Sequence, residues 1–404
     1  MIQPKKLIAS RHSWTPLLAV VLLATFLQGC VSVPKREPVP DAIYDSATVP
    51  GIQKARFWGD ATPPWADTWQ AKSPEEVKVE FPDVFGRDHS YLAISGGGAN
   101  GAFAAGLLKG WTAAGTRPEF TIVTGISTGA LVAPFAMLGP EYDPLLEEFY
   151  TTYSTKDLIH KRKVVNSLTS DAMYGTKGLE NLIAKYVTED VMQKLADKCL
   201  QGRQVFIGTT NIDAGRPVIW NIGRIAASGE PFALDLIRQI LLASASIPAA
   251  FPPVAIDVEA QGRRYQELHV DGGTASQVFL YPAGIQWAQV LEKLEVPGTP
   301  KAYIVRNSRL DAEAVVVNRK LLPIAERSIS SLIRTQGIGD LYRIYALAER
   351  DGVEFNLAYI PRDFEEVPSE VFDPVYMKKL YDLAYEMGKA GYEWSPAPPG
   401  FEPD

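Results

Sequence analysis

The chain has 404 residues, of which 46% are hydrophobic and 22% charged, an ordinary globular composition with enough apolar material for a sizeable core. This length fits one large α/β domain or two average ones. The formal net charge of −7 argues against a nucleic-acid partner, because binding to phosphates needs a basic face. No feature of the composition bears on oligomeric state.

The first 29 residues predict a secretory signal that is not part of the fold. A basic start precedes an apolar stretch over residues 17–27, which is short for a spanning helix. Residues 27–30 (LQGC) resemble a bacterial lipobox, so we expect Cys30 to carry lipid and to become the mature N-terminus. Val31 follows it in place of aspartate, which implies the outer membrane of the cell envelope, facing the periplasm.

Cysteine usage predicts neither a disulfide framework nor a metal site. Once Cys30 carries lipid, Cys199 has no partner, and we expect it to be a buried apolar residue. No cluster of cysteine and histidine has the spacing of zinc ligands. We therefore expect no metal and no cofactor.

Residues 30–86 predict a tether that continues as a strap rich in proline and tryptophan. Trp58, Trp65 and Trp69 are expected to pack onto the domain surface. The folded domain is predicted over residues 87–394, and the proline-rich residues 395–404 are predicted to form a loose tail.

Strands and helices alternate along the predicted domain. This order indicates an α/β fold with a sheet covered on both faces. Strands are predicted at residues 91–94, 120–123, 204–209, 218–221, 269–270, 302–305 and 355–360. Helices are predicted at residues 102–114, after Ser127, and at residues 143–150, 178–187, 233–245 and 375–390.

A long helical region is predicted over residues 321–349, broken around Gly337 and Gly339. It carries three arginines among apolar residues: Arg327, Arg334 and Arg343. Such a pattern fits either a helix packed on the sheet or an interfacial surface. We favour packing.

Residues 96–101 (GGGANG) follow a predicted strand and precede a helix. The pattern matches a dinucleotide-binding loop, but the next strand leads into residues 124–127 (TGIS) without the acid that would hold a ribose. Backbone N–H groups of such a loop can instead stabilise the oxyanion of an acyl-transfer reaction. The candidate oxyanion residues are Gly96, Gly97, Gly98 and Gly101.

Ser127 lies in the pattern G-x-S-x-G, between Gly125 and Gly129. This pattern is typical of a nucleophile on a strained strand-to-helix turn. Gly96 and Ser127 are 31 positions apart, enough for one crossover helix. A right-handed crossover would place both at the same edge of a parallel sheet, so we predict Ser127 to be the nucleophile beside its oxyanion loop.

A serine nucleophile needs a base, and two kinds are available. His269, with Asp213 or Asp257 as its acid, would complete a Ser-His-Asp triad. Alternatively, Asp271 in residues 271–273 (DGG) would accept the proton directly, provided that its surroundings raise its basicity.

Taken together, these motifs resemble the patatin-like phospholipases. Residues 96–101 resemble their oxyanion loop, residues 125–129 their nucleophile elbow, residues 271–273 their aspartate motif and residues 245–253 (ASIPAAFPP) the segment between serine and aspartate. The resemblance implies a three-layer α/β/α fold with a mainly parallel central sheet. It also implies a Ser127–Asp271 dyad that hydrolyses acyl esters of lipids.

One position departs from the family pattern. Asn100 stands where these proteins often have arginine or lysine, so a preference for phospholipid over another acylglycerol is not implied. Two alternatives remain open, namely an α/β-hydrolase-type esterase with a Ser-His-Asp triad and a lipid-binding lipoprotein without turnover.

Overall fold

A mostly parallel β-sheet with helices on both faces forms the framework of the protein. The structure, a computed structural model, describes residues 36–161, 172–312 and 314–401. The predicted signal segment and Cys30 lie outside the described residues. The described residues from 38 to 401 form one compact unit. The predicted three-layer α/β/α architecture with a mainly parallel sheet is confirmed.

Nine strands of the described residues build this sheet. They are β1 (Arg56–Trp58), β2 (Ser90–Ile94), β3 (Ile122–Ile126), β4 (Gln204–Asn211), β5 (Arg216–Asn221), β6 (Val254–Ala260), β7 (Arg263–Asp271), β8 (Lys301–Arg306) and β9 (Glu354–Tyr359). Their order is β1-β5-β4-β3-β2-β8-β9, and β7 pairs with both β4 and β6. The strands β4, β3, β2, β8 and β9 run parallel, whereas β5 and β7 run antiparallel to β4.

Helices cover both faces of the sheet. In chain order they are α1 (Ala66–Gln70), α2 (Pro74–Glu80), α3 (Gly101–Ala113), α4 (Thr128–Leu138), α5 (Asp143–Thr152), α6 (Thr155–Leu158), α7 (Lys177–Tyr186), α8 (Glu189–Leu200), α9 (Ile222–Ala226), α10 (Ala233–Ser244), α11 (Trp287–Lys293), α12 (Leu321–Asp351) and α13 (Pro374–Lys389). None of these helices is long and apolar enough to cross a membrane. Short strands at His160–Lys161 and Tyr174–Gly175 pair antiparallel in a separate two-stranded sheet.

The larger core packs α3, α4, α10 and α13 onto one face of the sheet. Close packing of α3 against α13 depends on a glycine, because a Cβ on Gly106 would lie 2.2 Å from the carbonyl oxygen of Tyr381. A second core lies on the opposite face, where the C-terminal part of α12 covers β2, β8 and β9. Both faces of the parallel strands are therefore buried, which explains their continuous apolar sequences.

The strap does more than cover the surface. Residues 56–58 enter the sheet as β1 and pair antiparallel with β5, and Trp58 is buried. Trp65 contacts the ring of Phe57 edge-on, and Trp69 contacts that of Phe81. The tryptophans thus pack on the domain, but the edge strand was not predicted. Helix α8 and strand β6 were also absent from the prediction.

The long helix α12 is continuous, which corrects the predicted break around Gly337 and Gly339. Gly337 serves close packing, because a Cβ there would lie 2.3 Å from Nη2 of Arg306 on β8. A glycine inside a helix costs about 1 kcal/mol relative to alanine, which a 31-residue helix tolerates.

The prediction of a loose tail is wrong for residues 395–401. Backbone groups of Ser395 and Leu357 exchange two hydrogen bonds of 3.0 and 2.8 Å, which add the tail to the edge strand β9. Further on, the Tyr342 hydroxyl donates to the carbonyl of Pro399, and Phe401 contacts the Tyr342 ring. Proline prevents regular structure here but does not prevent packing.

Candidate active site

Ser127 occupies a sharp turn between β3 and α4. Its φ of 55° lies in the left-handed region, which costs a residue with a side chain about 1–3 kcal/mol. Both flanking positions require glycine, because a side chain there would collide with the backbone. A Cβ on Gly125 would lie 2.4 Å from the carbonyl oxygen of Gly129, and one on Gly129 would lie 2.2 Å from that of Ile94. The predicted strand-to-helix elbow is therefore present.

Asp271 ends β7 and is directed at this elbow. The Ser127 hydroxyl donates a 2.6 Å hydrogen bond to Oδ2 of Asp271, while Oδ1 accepts a 2.7 Å bond from the Gly273 N–H. Gly272 allows the close approach, because a Cβ there would lie 2.4 Å from the carbonyl oxygen of Gly208. Both carboxylate oxygens are thus fixed.

Sheet register brings the serine and the aspartate together. Strand β4 is hydrogen-bonded on one side to β3, where Ile126 is opposite Gly208. It is bonded also to the end of β7, where Thr209 is opposite Asp271. Since Gly208 and Thr209 are consecutive, the carboxyl ends of β3 and β7 meet on the same side of β4. The two residues, 144 positions apart, meet because β4 connects their strands.

Burial makes Asp271 a stronger base than an ordinary carboxylate. Removal from water raises its pKa to about 7, and the hydrogen bonds from Ser127 and Gly273 only partly oppose this rise. Both of these partners are neutral. An aspartate in this environment is ready to accept a proton near neutral pH.

The four candidate oxyanion glycines divide into two pairs. The Gly96 N–H donates to the Gln277 carbonyl, and the Gly101 N–H is used by the short helix Gly98–Asn100. The N–H groups of Gly97 and Gly98 have no acceptor among the described residues. The prediction of four donors is therefore narrowed to Gly97 and Gly98.

Gly96 and Gly101, whose N–H groups are already engaged, are needed for close packing. A Cβ on Gly96 would lie 3.2 Å from that of Ser127, and one on Gly101 would lie 2.2 Å from Oγ1 of Thr128. Their lack of side chains lets the loop approach the elbow closely.

Three residues that the sequence did not indicate hold these parts in place. Ser244 accepts the N–H of Ser127 at 2.9 Å and donates to Gly208. Buried Asn307 bonds through its side-chain amide to the carbonyl of Ser95 and to the N–H of Ala104, at either end of the glycine loop.

Gln277 is the third. Its carbonyl accepts the Gly96 N–H at 3.1 Å, and its side-chain amide donates to the Gly273 carbonyl at 2.7 Å. It therefore joins the glycine loop to the aspartate turn. These roles depend on long-range contacts, and no local motif signals them.

His269 is engaged in another part of the sheet. Its Nε2 lies 3.0 Å from Oε2 of Glu267 and its Nδ1 lies 2.9 Å from Oγ1 of Thr209. Because a carboxylate only accepts, Nε2 donates to Glu267 and Nδ1 accepts from Thr209. Burial lowers the pKa of His269 and keeps the ring neutral.

The proposed acids of a triad are occupied as well. Asp213 accepts from the Leu268 N–H, and Asp257 accepts from Gln266. Among the described residues, no histidine is hydrogen-bonded to Ser127, so the geometry favours Asp271 as its partner over a histidine.

A small apolar pocket opens beside the serine. Its described walls include Gly98 and Ser127 together with six apolar side chains: Leu131, Leu158, Ile159, Phe251, Phe372 and Met377. An acyl chain would find an apolar environment here, next to the reacting hydroxyl. Nearby, Asn100 accepts a 2.7 Å hydrogen bond from the Tyr376 hydroxyl, so its side chain is tied to α13.

A family model matches the part of the chain that carries these motifs. Residues 92–283 match the family model described as patatin-like phospholipase. No curated protein matches the chain. Among solved structures, the chain is similar to VipD from Legionella pneumophila, with 13% identity and a TM-score of 0.36. The match covers 75% of this chain and 66% of that chain, which is less than two thirds of its length. Residues 92–283, which include the glycine loop, Ser127 and Asp271, are therefore similar to a patatin-like phospholipase domain.

Proposed function

We propose that this patatin-like domain is a serine hydrolase that cleaves carboxylic esters of lipids through a Ser127–Asp271 dyad. One observation carries the proposal: the Ser127 hydroxyl donates a 2.6 Å hydrogen bond to a buried carboxylate whose pKa is raised to about 7. A carboxylate that is both within reach and basic near neutral pH can take the serine proton without a histidine.

The reaction begins when Asp271 accepts the proton of Ser127 as Oγ attacks the ester carbonyl carbon. The tetrahedral oxyanion is stabilised by the N–H groups of Gly97 and Gly98. Removing one such donor typically costs about 3 kcal/mol of transition-state stabilisation. As the ester C–O bond breaks, protonated Asp271 gives its proton to the leaving alcohol, and the acyl group remains on Ser127.

Hydrolysis of the acyl-enzyme repeats these steps with water. Asp271 accepts a proton from the water as its oxygen attacks the acyl carbon. The bond to Oγ then breaks, the carboxylic acid leaves, and the proton returns to Ser127. Each half-reaction leaves Asp271 in its starting ionised form.

The substrate class is proposed from the pocket and the family. The apolar side chains beside Ser127, among them Leu131 and Phe251, suit an acyl chain. Either a phospholipid or another acylglycerol would supply that chain. Mass spectrometry of membrane lipids incubated with the active enzyme and with Ser127→Ala identifies the ester consumed.

Three variants test the dyad. We expect Ser127→Ala and Asp271→Asn each to lower kcat/KM for a soluble acyl ester by at least about 10³-fold, because each removes a group that acts in every transition state. His269→Gln should retain most activity, since the ring contacts Glu267 and Thr209. The reverse pattern, with His269→Gln inactive and Asp271→Asn active, would favour the triad.

A fluorophosphonate probe distinguishes the enzyme from a lipid-binding lipoprotein. We expect the probe to label Ser127 in the folded protein and not to label Ser127→Ala. A folded protein that neither takes the label nor hydrolyses esters would contradict the proposed activity.

The location of the enzyme is proposed from the sequence. We propose that the chain is exported, carries lipid on Cys30 and is anchored in the bacterial outer membrane, facing the periplasm. Support comes from residues 27–30 (LQGC) and from Val31. Metabolic labelling with an alkyne fatty acid should modify the protein, and Cys30→Ser should remove both this label and its co-fractionation with the outer membrane.

A further inference from the structure

We propose that the N-terminal half of α12, residues 321–335, is a docking surface for anionic lipid membranes beside the active site. The choice of lipid as the occupant rests on the proposed function. Most of the described side chains of this half-helix are exposed, so they contribute little to the core.

The length of α12 explains why half of it projects. A helix of 31 residues is about 46 Å long, whereas a six-residue strand spans about 20 Å. The C-terminal end of α12 is fixed, because it leads directly into β9. Leu341, Ile344 and Leu347 are buried against the sheet, so the excess length extends past the carboxyl ends of the strands.

Ser127 lies at this same edge of the sheet, and hydrogen bonds connect it to the helix. Asp340 of α12 accepts the N–H of Gln277 at 2.6 Å. Gln277 is the residue that joins the glycine loop to the aspartate turn, and its side chain also contacts Gln336 at 3.4 Å. The projecting half therefore begins next to the catalytic groups.

The projecting half exposes large apolar side chains that a packed helix would bury. Leu321 is 83% exposed and Leu332 is 69% exposed. They are eleven positions apart, about three turns, and so lie on nearly the same face. Ile324 and Ile329 are also exposed, as is Val316 (96%) just before the helix. Contiguous exposed apolar residues of this kind mark a binding surface.

The charge of this region favours an anionic membrane as the occupant. Residues 321–335 contain two basic residues against one acid, and two more basic residues directly precede them, within a chain whose net charge is −7. The basic residues are Arg319, Lys320, Arg327 and Arg334. Apolar residues flanked by cations fit the boundary between acyl chains and anionic headgroups.

The start of α12 also lacks the features that usually stabilise a helix N-terminus. Lys320 occupies the N-cap without a side-chain cap, and the first turn has no acid. Cations at a helix N-terminus oppose the helix dipole. By contrast, α13 begins with the capping Asp373. A membrane with negative headgroups would offset the unfavourable charge at the start of α12.

A fluorophore placed on the helix tests insertion without relying on catalysis. In full chains carrying Ser127→Ala and Cys30→Ser, an environment-sensitive dye is attached at Leu332→Cys or, as control, at Val79→Cys. Val79 is 81% exposed on α2, and Cys199 is buried from the dye. We expect phosphatidylglycerol-containing vesicles to shift the emission of the Leu332 dye to the blue, and the Val79 dye to change little.

Vesicles of phosphatidylcholine alone, or high salt, should weaken the response at Leu332. No response there, or equal responses at both positions, would overturn the proposal. A shift that depends on protein concentration without vesicles would overturn it in favour of a second copy of the chain. A response in a protein whose unsubstituted form hydrolyses no ester would refute the proposed function and leave the docking surface intact.

Activity gives a second measurement. We expect Ile329→Asp combined with Leu332→Asp to lower the ratio of hydrolysis in anionic vesicles to hydrolysis of a soluble ester about tenfold, because the apolar face no longer enters the membrane. The exposed control Val79→Asp should leave this ratio unchanged. An unchanged ratio in the double variant would contradict the proposal.

Discussion

Two buried carboxylates on strand β7 behave in opposite ways. Glu267 and Asp271 lie on the same face of the strand, four residues apart, with His269 between them. Burial alone would raise the pKa of Glu267, but Arg56 and His269 outweigh it and hold the pKa at about 2. Burial raises the pKa of Asp271 to about 7, because its partners are a hydroxyl and a backbone N–H.

The difference shows that burial does not by itself make a carboxylate basic. Glu267 accepts two hydrogen bonds from Arg56, one of them 3.3 Å long, and its charge is neutralised. Among the described residues, the hydrogen-bond partners of Asp271 include no cation. An ion pair locks Glu267 as a structural anion, whereas neutral donors leave Asp271 able to exchange a proton.

Removing the charge of Glu267 should have the largest effect on stability. We expect Glu267→Gln to lower the free energy of unfolding by about 3–5 kcal/mol, because Arg56 would remain buried without its counterion. Urea denaturation at pH 7 measures the loss. Asp257→Asn on the adjacent strand is the matched control and should change the free energy by less than about 0.5 kcal/mol. Equal effects in the two variants would contradict the assigned role of the ion pair.

Removing the charge of Asp271 should have the opposite effect and raise the free energy of unfolding. Its folded pKa of about 7 exceeds the unfolded value of about 3.9, so the folded state binds the extra proton between pH 4 and 7. The contribution of Asp271 to the free energy of unfolding of the wild type therefore falls as the pH rises through this window. Asp271→Asn has no carboxyl proton to lose, so we expect it to be more stable than wild type by up to about 4 kcal/mol at pH 8 and nearly equal at pH 4.

Denaturant midpoints across this pH range test the expectation. If Asp271→Asn were less stable than wild type at pH 8, the ionised carboxylate of Asp271 would be better stabilised than its environment indicates. A gain in stability with a loss of activity is the pattern expected of a group kept for catalysis.

The smallest effect is expected in the pH profile of the reaction. Because the proposed base must be ionised, kcat/KM should rise about tenfold per pH unit below about pH 7 and level off above it. His269→Gln should leave the midpoint within about one unit, since it replaces a neutral ring by a neutral amide. A midpoint near pH 4 would show that Asp271 has an ordinary basicity and would weaken its assignment as the base.

The sequence predicted the parts of the site that are local in the chain. Ser127 and its two glycines form one continuous turn, and Asp271 lies in a similarly short motif. Strands β2 and β3 and the crossover helix between them were also predictable, because apolar periodicity reflects burial in a two-faced sheet. These elements were sufficient to predict that the glycine loop and the serine share an edge.

What the sequence did not predict depends on long-range contacts. Four glycines were equivalent candidates for the oxyanion site, and only backbone pairing separates Gly97 and Gly98 from the other two. Gln277 and Asn307 act from distant segments that carry no motif. Gly337 suggested a break because glycine disfavours helices, whereas the approach of Arg306 is what requires it.

The pairing of β1 with β5 has a consequence for how the chain acquires its shape during synthesis. The register joins Arg56 to Trp220, so this edge of the sheet closes only after about 160 further residues have been made. Until then the apolar residues Phe57 and Trp58 have no strand to join. Nascent chains interrupted before residue 221 should therefore depend on chaperones, while those extending beyond it can bury this segment.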